Sequence, residues 1–175
     1  MTDAGVSSNS VSNNSVSKDI EAMYQQVILD HSREAHGRGL RLIDLPAVGE
    51  SHQVNTTCGD EVTVRVGIVD GIVTELAWEG SGCSISQASV SILNDLVVGE
   101  DVAHAQTVFE AFKALMHNKG VPLDEHREDL LGDATAFVGV GKYPARIKCA
   151  LLGWMALRDA LDSAQRNNAE GAQHA

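Results

Sequence analysis

Asp70-Gly71 separates two runs rich in Val, Thr and Ile, residues 61–69 and 72–79. An Asp-Gly pair accepts two successive left-handed residues at low cost, which a tight antiparallel hairpin requires. Val62, Val64 and Val66 alternate with Thr63 and Arg65, so one face of the hairpin is predicted to be buried. A third run of similar composition covers residues 52–58. After Gly80-Ser81-Gly82 the apolar spacing changes from two residues to three or four, which is helical. The predicted fold class is therefore α+β, a small three-stranded antiparallel sheet with one face packed by about five helices.

Residues 1–17, mostly Ser, Asn, Val and small residues, carry no periodic apolar face and are expected to form a disordered tail. The domain proper is expected to span 18–164. Ile20, Met23, Tyr24, Val27 and Ile28 share one face of a first helix, which Gly37 and Gly39 stop. Residues 40–50, punctuated by Pro46 and Gly49, are expected to form a loop. Residues 84–98 form a second helix with Ile85, Ala88, Ile92 and Leu96 on one side, ended by Gly99. Asp101 is a suitable N-cap for a helix running to about His117, with Val108, Phe112, Leu115 and Met116 inward. Residues 118–133 are polar and irregular or a short helical turn, and a short helix covers 133–139. Pro144 suits the first turn of a last helix whose apolar stripe is Ile147, Ala150, Leu151, Trp154, Leu157 and Leu161. Cys149 lies off that stripe and shares a face with Arg146. Residues 165–175 are expected to form a polar C-terminal tail.

A length of 175 residues is enough for one domain with a real core, and with aromatics at 4% that core must be aliphatic. Trp78 and Trp154 are expected to lie in it. The net charge of −11 argues against nonspecific nucleic-acid binding and leaves room for a protein partner with a basic surface. No apolar stretch reaches 18 residues, so no membrane span is expected, and no secretory signal is visible. Three cysteines are too few for a disulfide framework. A reducing cytoplasm, where thiols stay available, is the expected compartment.

Those cysteines are Cys58 in Thr57-Cys58-Gly59-Asp60, Cys83 after Gly80-Ser81-Gly82, and Cys149 after Arg146-Ile147-Lys148. With Asp60 they offer three thiolates and one carboxylate, matching a tetrahedral zinc site or an edge of an iron–sulfur cluster. Cys58 and Asp60, two apart in an extended segment, point the same way. Cys83 precedes a helix whose first N–H groups favour thiolate. Arg146 and Lys148 would favour thiolate at Cys149. The spacings are long and lack a C-x-x-C knuckle, and a lone cysteine is often a small buried hydrophobe. The residues alone do not choose between zinc and iron. Lys148 reads as a solvated helix charge. His31 and His36, flanking the end of the first helix, read as surface or capping residues rather than parts of the site.

Four phrases, in order, carry a resemblance: Tyr24-Gln-Gln-Val-Ile-Leu-Asp-His31, Thr57-Cys-Gly-Asp60, Glu79-Gly-Ser-Gly-Cys-Ser-Ile-Ser86 and Tyr143-Pro-Ala-Arg-Ile-Lys-Cys149. From about Ile20 to Ala164 the chain resembles the SufU family of zinc-dependent sulfurtransferases, within the IscU-like superfamily of iron–sulfur scaffolds. The resemblance implies zinc held by Cys58, Asp60, Cys83 and Cys149, with Cys58 as the sulfur-accepting cysteine. It implies a PLP-dependent cysteine desulfurase of the SufS type as sulfur donor and an iron–sulfur scaffold complex downstream. It also implies that a histidine of the desulfurase takes the metal position that Cys58 leaves on docking. Arg146 is the expected cation for Asp60 or for a persulfide anion. IscU scaffolds usually carry His where this chain has Lys148, and the longer stretch at 118–136 is also SufU-like. Thr56 stands where the family often has Pro, and Glu34-Ala35-His36 replaces a common Asn-Pro-Arg. The alternatives are a scaffold assembling a [2Fe–2S] cluster on the same ligands, or a structural zinc domain acting as an adaptor.

Overall fold

The computed structural model of the chain describes residues 9–174. The order is α1 (Asn9–Glu34), β1 (Ala47–Asn55), β2 (Asp60–Val69), β3 (Ile72–Ser81), α2 (Ser84–Val97), α3 (Val102–His117), α4 (Glu125–Leu131), a 3-10 segment (Gly132–Lys142) and α5 (Pro144–Gln173). The α+β class and the three-stranded antiparallel sheet stand as expected, with strand order β1-β2-β3.

Asp70 and Gly71 close the β2–β3 hairpin with φ of +50° and +79°, the pair of left-handed residues that a type I′ turn requires. Val62, Val64 and Val66 all point into the core, at 4, 0 and 0% exposure. The other edge of β3 is capped by the segment after α1. Gly39 donates to Trp78 O at 2.8 Å and Trp78 donates to Gly37 O at 3.1 Å, which pairs an otherwise free strand edge.

The first strand differs from expectation. β1 begins at Ala47 and ends at Asn55, so residues 47–50 are strand rather than loop, and residues 56–59 are turn rather than strand. Its buried positions are Ala47, Gly49 and Asn55, none a large apolar residue, while Val54 is 49% exposed. Hydrophobic alternation therefore misplaced the strand. What selects these residues is α5, which crosses so close that small side chains alone fit beneath it.

Both ends of the chain also differ. α1 includes residues 9–17, which were expected to be a disordered tail, and α5 stays helical through Gln173 instead of giving way to a polar tail at 165. Residues 1–8 of the expected tail lie outside the described residues. Val16, Ile20 and Met23 on α1 are exposed, whereas Val27 and Ile28 pack on the core.

The core lies between the buried sheet face and helices α2, α3 and α5. Trp154 stacks on Phe112 with ring centroids 4.3 Å apart. Its Nε1 donates to Ser89 Oγ at 2.8 Å, and Ser89 Oγ donates to Ala150 O at 2.6 Å, so the buried indole is satisfied. Trp78 Nε1 donates to His36 O at 2.7 Å. Both tryptophans are core residues, as expected. Among the described residues, no helix is long and apolar enough to cross a membrane.

Asp101 caps α3, its carboxylate accepting from His104 N at 2.7 Å. Asp101→Ala is predicted to cost about 1 kcal/mol of stability, read as a lower urea midpoint with an unchanged slope. A midpoint equal to wild type would show that water replaces the cap.

Candidate metal centre

Three connections of the fold meet at one point. Cys58 lies on the turn between β1 and β2, Asp60 is the first residue of β2, Cys83 is the N-cap residue of α2, and Cys149 sits in the second turn of α5. Asn55 shapes the first connection. Its Oδ1 accepts from Thr57 N at 3.1 Å, and its carbonyl accepts from Gly59 N at 2.8 Å. This local bonding folds 56–59 into a turn, so Cys58 and Asp60 are not neighbours on one strand face. They converge because the turn curls Cys58 back over the start of β2.

The second connection needs Gly82. A Cβ there would lie 2.5 Å from Ser86 Oγ and 2.8 Å from Asp60 Cγ, so glycine lets the β3–α2 link close over Asp60. Ser86 Oγ donates to Cys83 O at 3.0 Å and fixes the start of α2.

Cys58 Sγ is 3.4 Å from Cys149 Sγ, and Cys83 Sγ is 3.4 Å from Asp60 Oδ2. Ligand atoms of Cys58, Asp60 and Cys149 all lie within 4.8 Å of one another. Cys83 joins this group through Asp60. Zn–S bonds of about 2.3 Å and Zn–O bonds of about 2.0 Å give a tetrahedron edges of roughly 3.5–3.8 Å, which the Cys58–Cys149 and Cys83–Asp60 separations approach, and Cys83 must close on the other three to complete it. Three soft sulfurs and one carboxylate are also a donor set that zinc favours. The residues present therefore fit the ion.

The electrostatics agree. Asp60 is buried, which pushes its pKa up, but hydrogen bonds from Cys149, Cys83, Ser86 and Cys58 outweigh burial and hold the carboxyl below its usual range. Burial pushes the Cys149 thiol strongly upward, reinforced by the Cys58 thiol and the Asp60 carboxylate beside it. Packed anions of this kind can all ionise together only with a cation among them.

Two sequence expectations change at Cys149. It is 6% exposed, on the packed side of α5 rather than off the stripe. Arg146 and Lys148 are both exposed, and the Arg146 guanidinium lies 4.9 Å from the Tyr143 ring centroid. The Asp60 carboxylate accepts from Cys83 Sγ at 3.4 Å, not from Arg146. Cys58 and Cys83 are exposed, whereas Cys149 and Asp60 form the floor.

Sequence reasoning passed over Asn55 and Ser86. Asn55 is 8% exposed and turns its Nδ2 toward Cys149 Sγ at 3.9 Å. An Asx residue two before Thr57 and a serine three after Cys83 are the local signals that mark them. His31 and His36 meet each other near Ser91 on α2, eight residues beyond Cys83 and so about 12 Å along the helix from the thiols.

The NifU-like N-terminal domain family matches residues 23–150. The chain is 35% identical over 155 residues to the zinc-dependent sulfurtransferase SufU of Bacillus subtilis (strain 168), covering 88% of this chain and 99% of that protein. It is 35% identical over 144 residues to the iron–sulfur cluster assembly scaffold protein IscU of Thermotoga maritima, covering 82% and 96%. The crystal structure of a nitrogen-fixing NifU-like protein (N-terminal) from Brucella abortus matches with a TM-score of 0.70 at 27% identity, covering 84% of this chain and 97% of that one.

Proposed function

This chain belongs to the NifU-like N-terminal domain family, and from that premise we propose that it is a zinc-dependent sulfur acceptor working in cytoplasmic iron–sulfur cluster assembly. It takes sulfur from a PLP-dependent cysteine desulfurase onto Cys58 and passes it to a cluster-building scaffold complex. The observation that carries this reading is the asymmetry of the thiols. Cys58 stands exposed on a short turn while its neighbour Cys149, 3.4 Å away, is buried in a helix.

Cys58, Asp60, Cys83 and Cys149 would hold the zinc. Bound there, zinc supplies the positive charge that keeps clustered thiolates deprotonated and shielded. The sulfur chemistry belongs to Cys58. Its thiolate attacks the sulfane sulfur of the desulfurase persulfide. A new S–S bond forms at Cys58 Sγ. The bond between that sulfur and the desulfurase cysteine breaks, and its electron pair leaves as thiolate. A Cys58 persulfide results, with no net oxidation. The turn at 56–59, bonded mainly to itself through Asn55, allows Cys58 to move toward a partner without disturbing β2 or α5. Arg146, exposed in the first turn of α5, is placed in this proposal as a cation for the persulfide anion rather than as the partner of Asp60.

The second reading is a scaffold that assembles a [2Fe–2S] cluster on the same four ligands. It is favoured by the IscU relative, which is as similar in identity as the SufU relative. Lys148, directly before Cys149, supports the first reading, because scaffolds of the IscU type usually carry His there. Metal, acid-labile sulfide and the visible spectrum of freshly purified protein separate the two. The expected result is one zinc per chain, no sulfide and no colour. Iron and sulfide in matched amounts, in a brown protein, would make the scaffold reading primary.

A further inference from the structure

Away from the thiols, the described residues hold a second group of metal-ligating side chains where the end of α1 meets α2. We propose that His31, His36 and Asp95 form a second metal site, built for a divalent first-row transition ion that prefers imidazole and carboxylate ligands. One ring nitrogen from each histidine and one Asp95 carboxylate oxygen lie within 4.8 Å of one another. The two rings meet edge to face with centroids 5.2 Å apart.

Each imidazole already has the outer partner that metal-binding histidines commonly carry. His31 Nε2 is 3.2 Å from Asp133 Oδ2, and His36 Nε2 is 2.9 Å from Glu34 Oε2. In the tautomer that donates Nε2–H outward on both rings, the two Nδ1 atoms carry the lone pairs, and at His36 an ion would replace the proton now shared with Asp95. They face the polar groups of α2, with His31 Nδ1 3.0 Å from Ser91 Oγ and His36 Nδ1 2.7 Å from Asp95 Oδ2.

The backbone is held for this geometry. His36 N donates to Ser91 Oγ at 2.9 Å, and His36 O accepts from Trp78 Nε1 at 2.7 Å. Ala35 reaches the same turn at a left-handed φ of +47°. His31 supplies a buried floor, its side chain 9% exposed, while Asp95, Glu34 and Asp133 form an open rim at 44, 60 and 67%. Asp95 and Glu34 favour the protonated His36 ring, raising its pKa, and a divalent cation bound among the three carboxylates would take the place of that proton. Imidazole and carboxylate donors select zinc, nickel or copper over magnesium and calcium. A bound ion would tie α1 to α2 and to the 3-10 segment that carries Asp133.

Nickel is a suitable probe once the chain holds one equivalent of zinc, all of it at the thiol centre, with excess zinc removed. The full chain, zinc-loaded, is titrated with Ni²⁺ by calorimetry, with melting temperature and retained zinc followed in parallel. One equivalent of nickel is expected to bind, raising the melting temperature without displacing zinc. His36→Ala and Asp95→Asn, both substitutions of partly exposed side chains, should weaken nickel binding by at least tenfold and leave zinc content unchanged. Glu34→Gln should weaken it by about 10–100-fold, as loss of an outer carboxylate does. If the zinc-loaded protein takes up no nickel, the group is a closed network of hydrogen bonds and ion pairs and the proposal fails. It fails equally if His36→Ala and Asp95→Asn bind nickel like wild type, or if zinc leaves as nickel enters. None of these results depends on the sulfur-transfer reading, since sulfur acceptance is not measured.

Discussion

Cys58→Ser is expected to fold, with weaker zinc binding because a ligand is lost, and to lose sulfur acceptance from a cysteine desulfurase by roughly three orders of magnitude or more, the scale on which removing a nucleophile acts. The reasoning starts with exposure. Cys58 is on a turn that touches the core through no large side chain, so a change from sulfur to oxygen costs little packing. Chemistry is where the change is felt, because a hydroxyl is not ionised at neutral pH and serine oxygen forms no persulfide. Cys149 provides the contrast. It is buried against Asn55 and Cys58, so Cys149→Ser disturbs the floor of the site and should lower zinc content as well as activity. Persulfide labelling of each variant after incubation with desulfurase and cysteine checks the assignment. Label remaining at wild-type levels in Cys58→Ser would move the acceptor role to Cys83, the other exposed thiol.

The parts of the fold that could be read in advance are those in which large residues declare a face. The β2–β3 hairpin shows this through Val62, Val64 and Val66, and α3 through Phe112, Leu115 and Met116. The parts that could not be read are those in which small residues carry the packing. β1 buries Ala47 and Gly49, which give no alternation signal. α5 buries Ala150, Gly153, Ala156, Ala160 and Ala164 in a wide arc. A stripe drawn through its large residues alone therefore put Cys149 outside. Residues 165–173 of α5 are exposed helix, and nothing in a side-chain pattern marks such an end.

The same division holds at the site. The four proposed ligands follow from residue type and flanking phrases, but their convergence does not. Cys58 and Asp60 approach each other through a turn built by Asn55, and this depends on backbone bonds that strand periodicity does not report. Arg146 was matched to Asp60 by charge. In the structure Asp60 accepts from the Cys83 thiol, and the guanidinium lies over Tyr143. The pairing of His31 with His36 was hidden for a different reason. Their shared ground is Ser91, more than fifty residues away in sequence, on a helix whose buried face includes serines as well as aliphatics.

Gly49→Ala is predicted to destabilise the protein by about 3 kcal/mol or more, the upper range for overpacking a tight contact. A Cβ at Gly49 would stand 1.9 Å from Ala160 O and 2.5 Å from Ala164 N. Both atoms are backbone, so no rotamer change relieves the contact, and β1 and α5 must separate. Reaching an ordinary 3.4 Å contact requires a shift of about 1.5 Å, well beyond the few tenths of an ångström that a packed interior gives up cheaply. The site feels this movement because α5 carries Cys149 and β1 runs into the turn bearing Cys58. Metal ligands tolerate displacement of only about 0.2 Å, so zinc affinity should fall by at least tenfold along with stability. Gly71→Ala is the control. That glycine has no neighbour within 4 Å of a built Cβ and sits at φ +79°, so its cost is left-handed strain of about 1–2 kcal/mol with zinc binding unchanged. Urea unfolding and competition with a chromogenic zinc chelator read the two quantities separately. Loss of stability with wild-type zinc affinity would mean that α5 pivots about its N-terminal turns, leaving Cys149 in place. Wild-type stability in Gly49→Ala would show slack between β1 and α5 and would remove close packing as the reason for the strand's position.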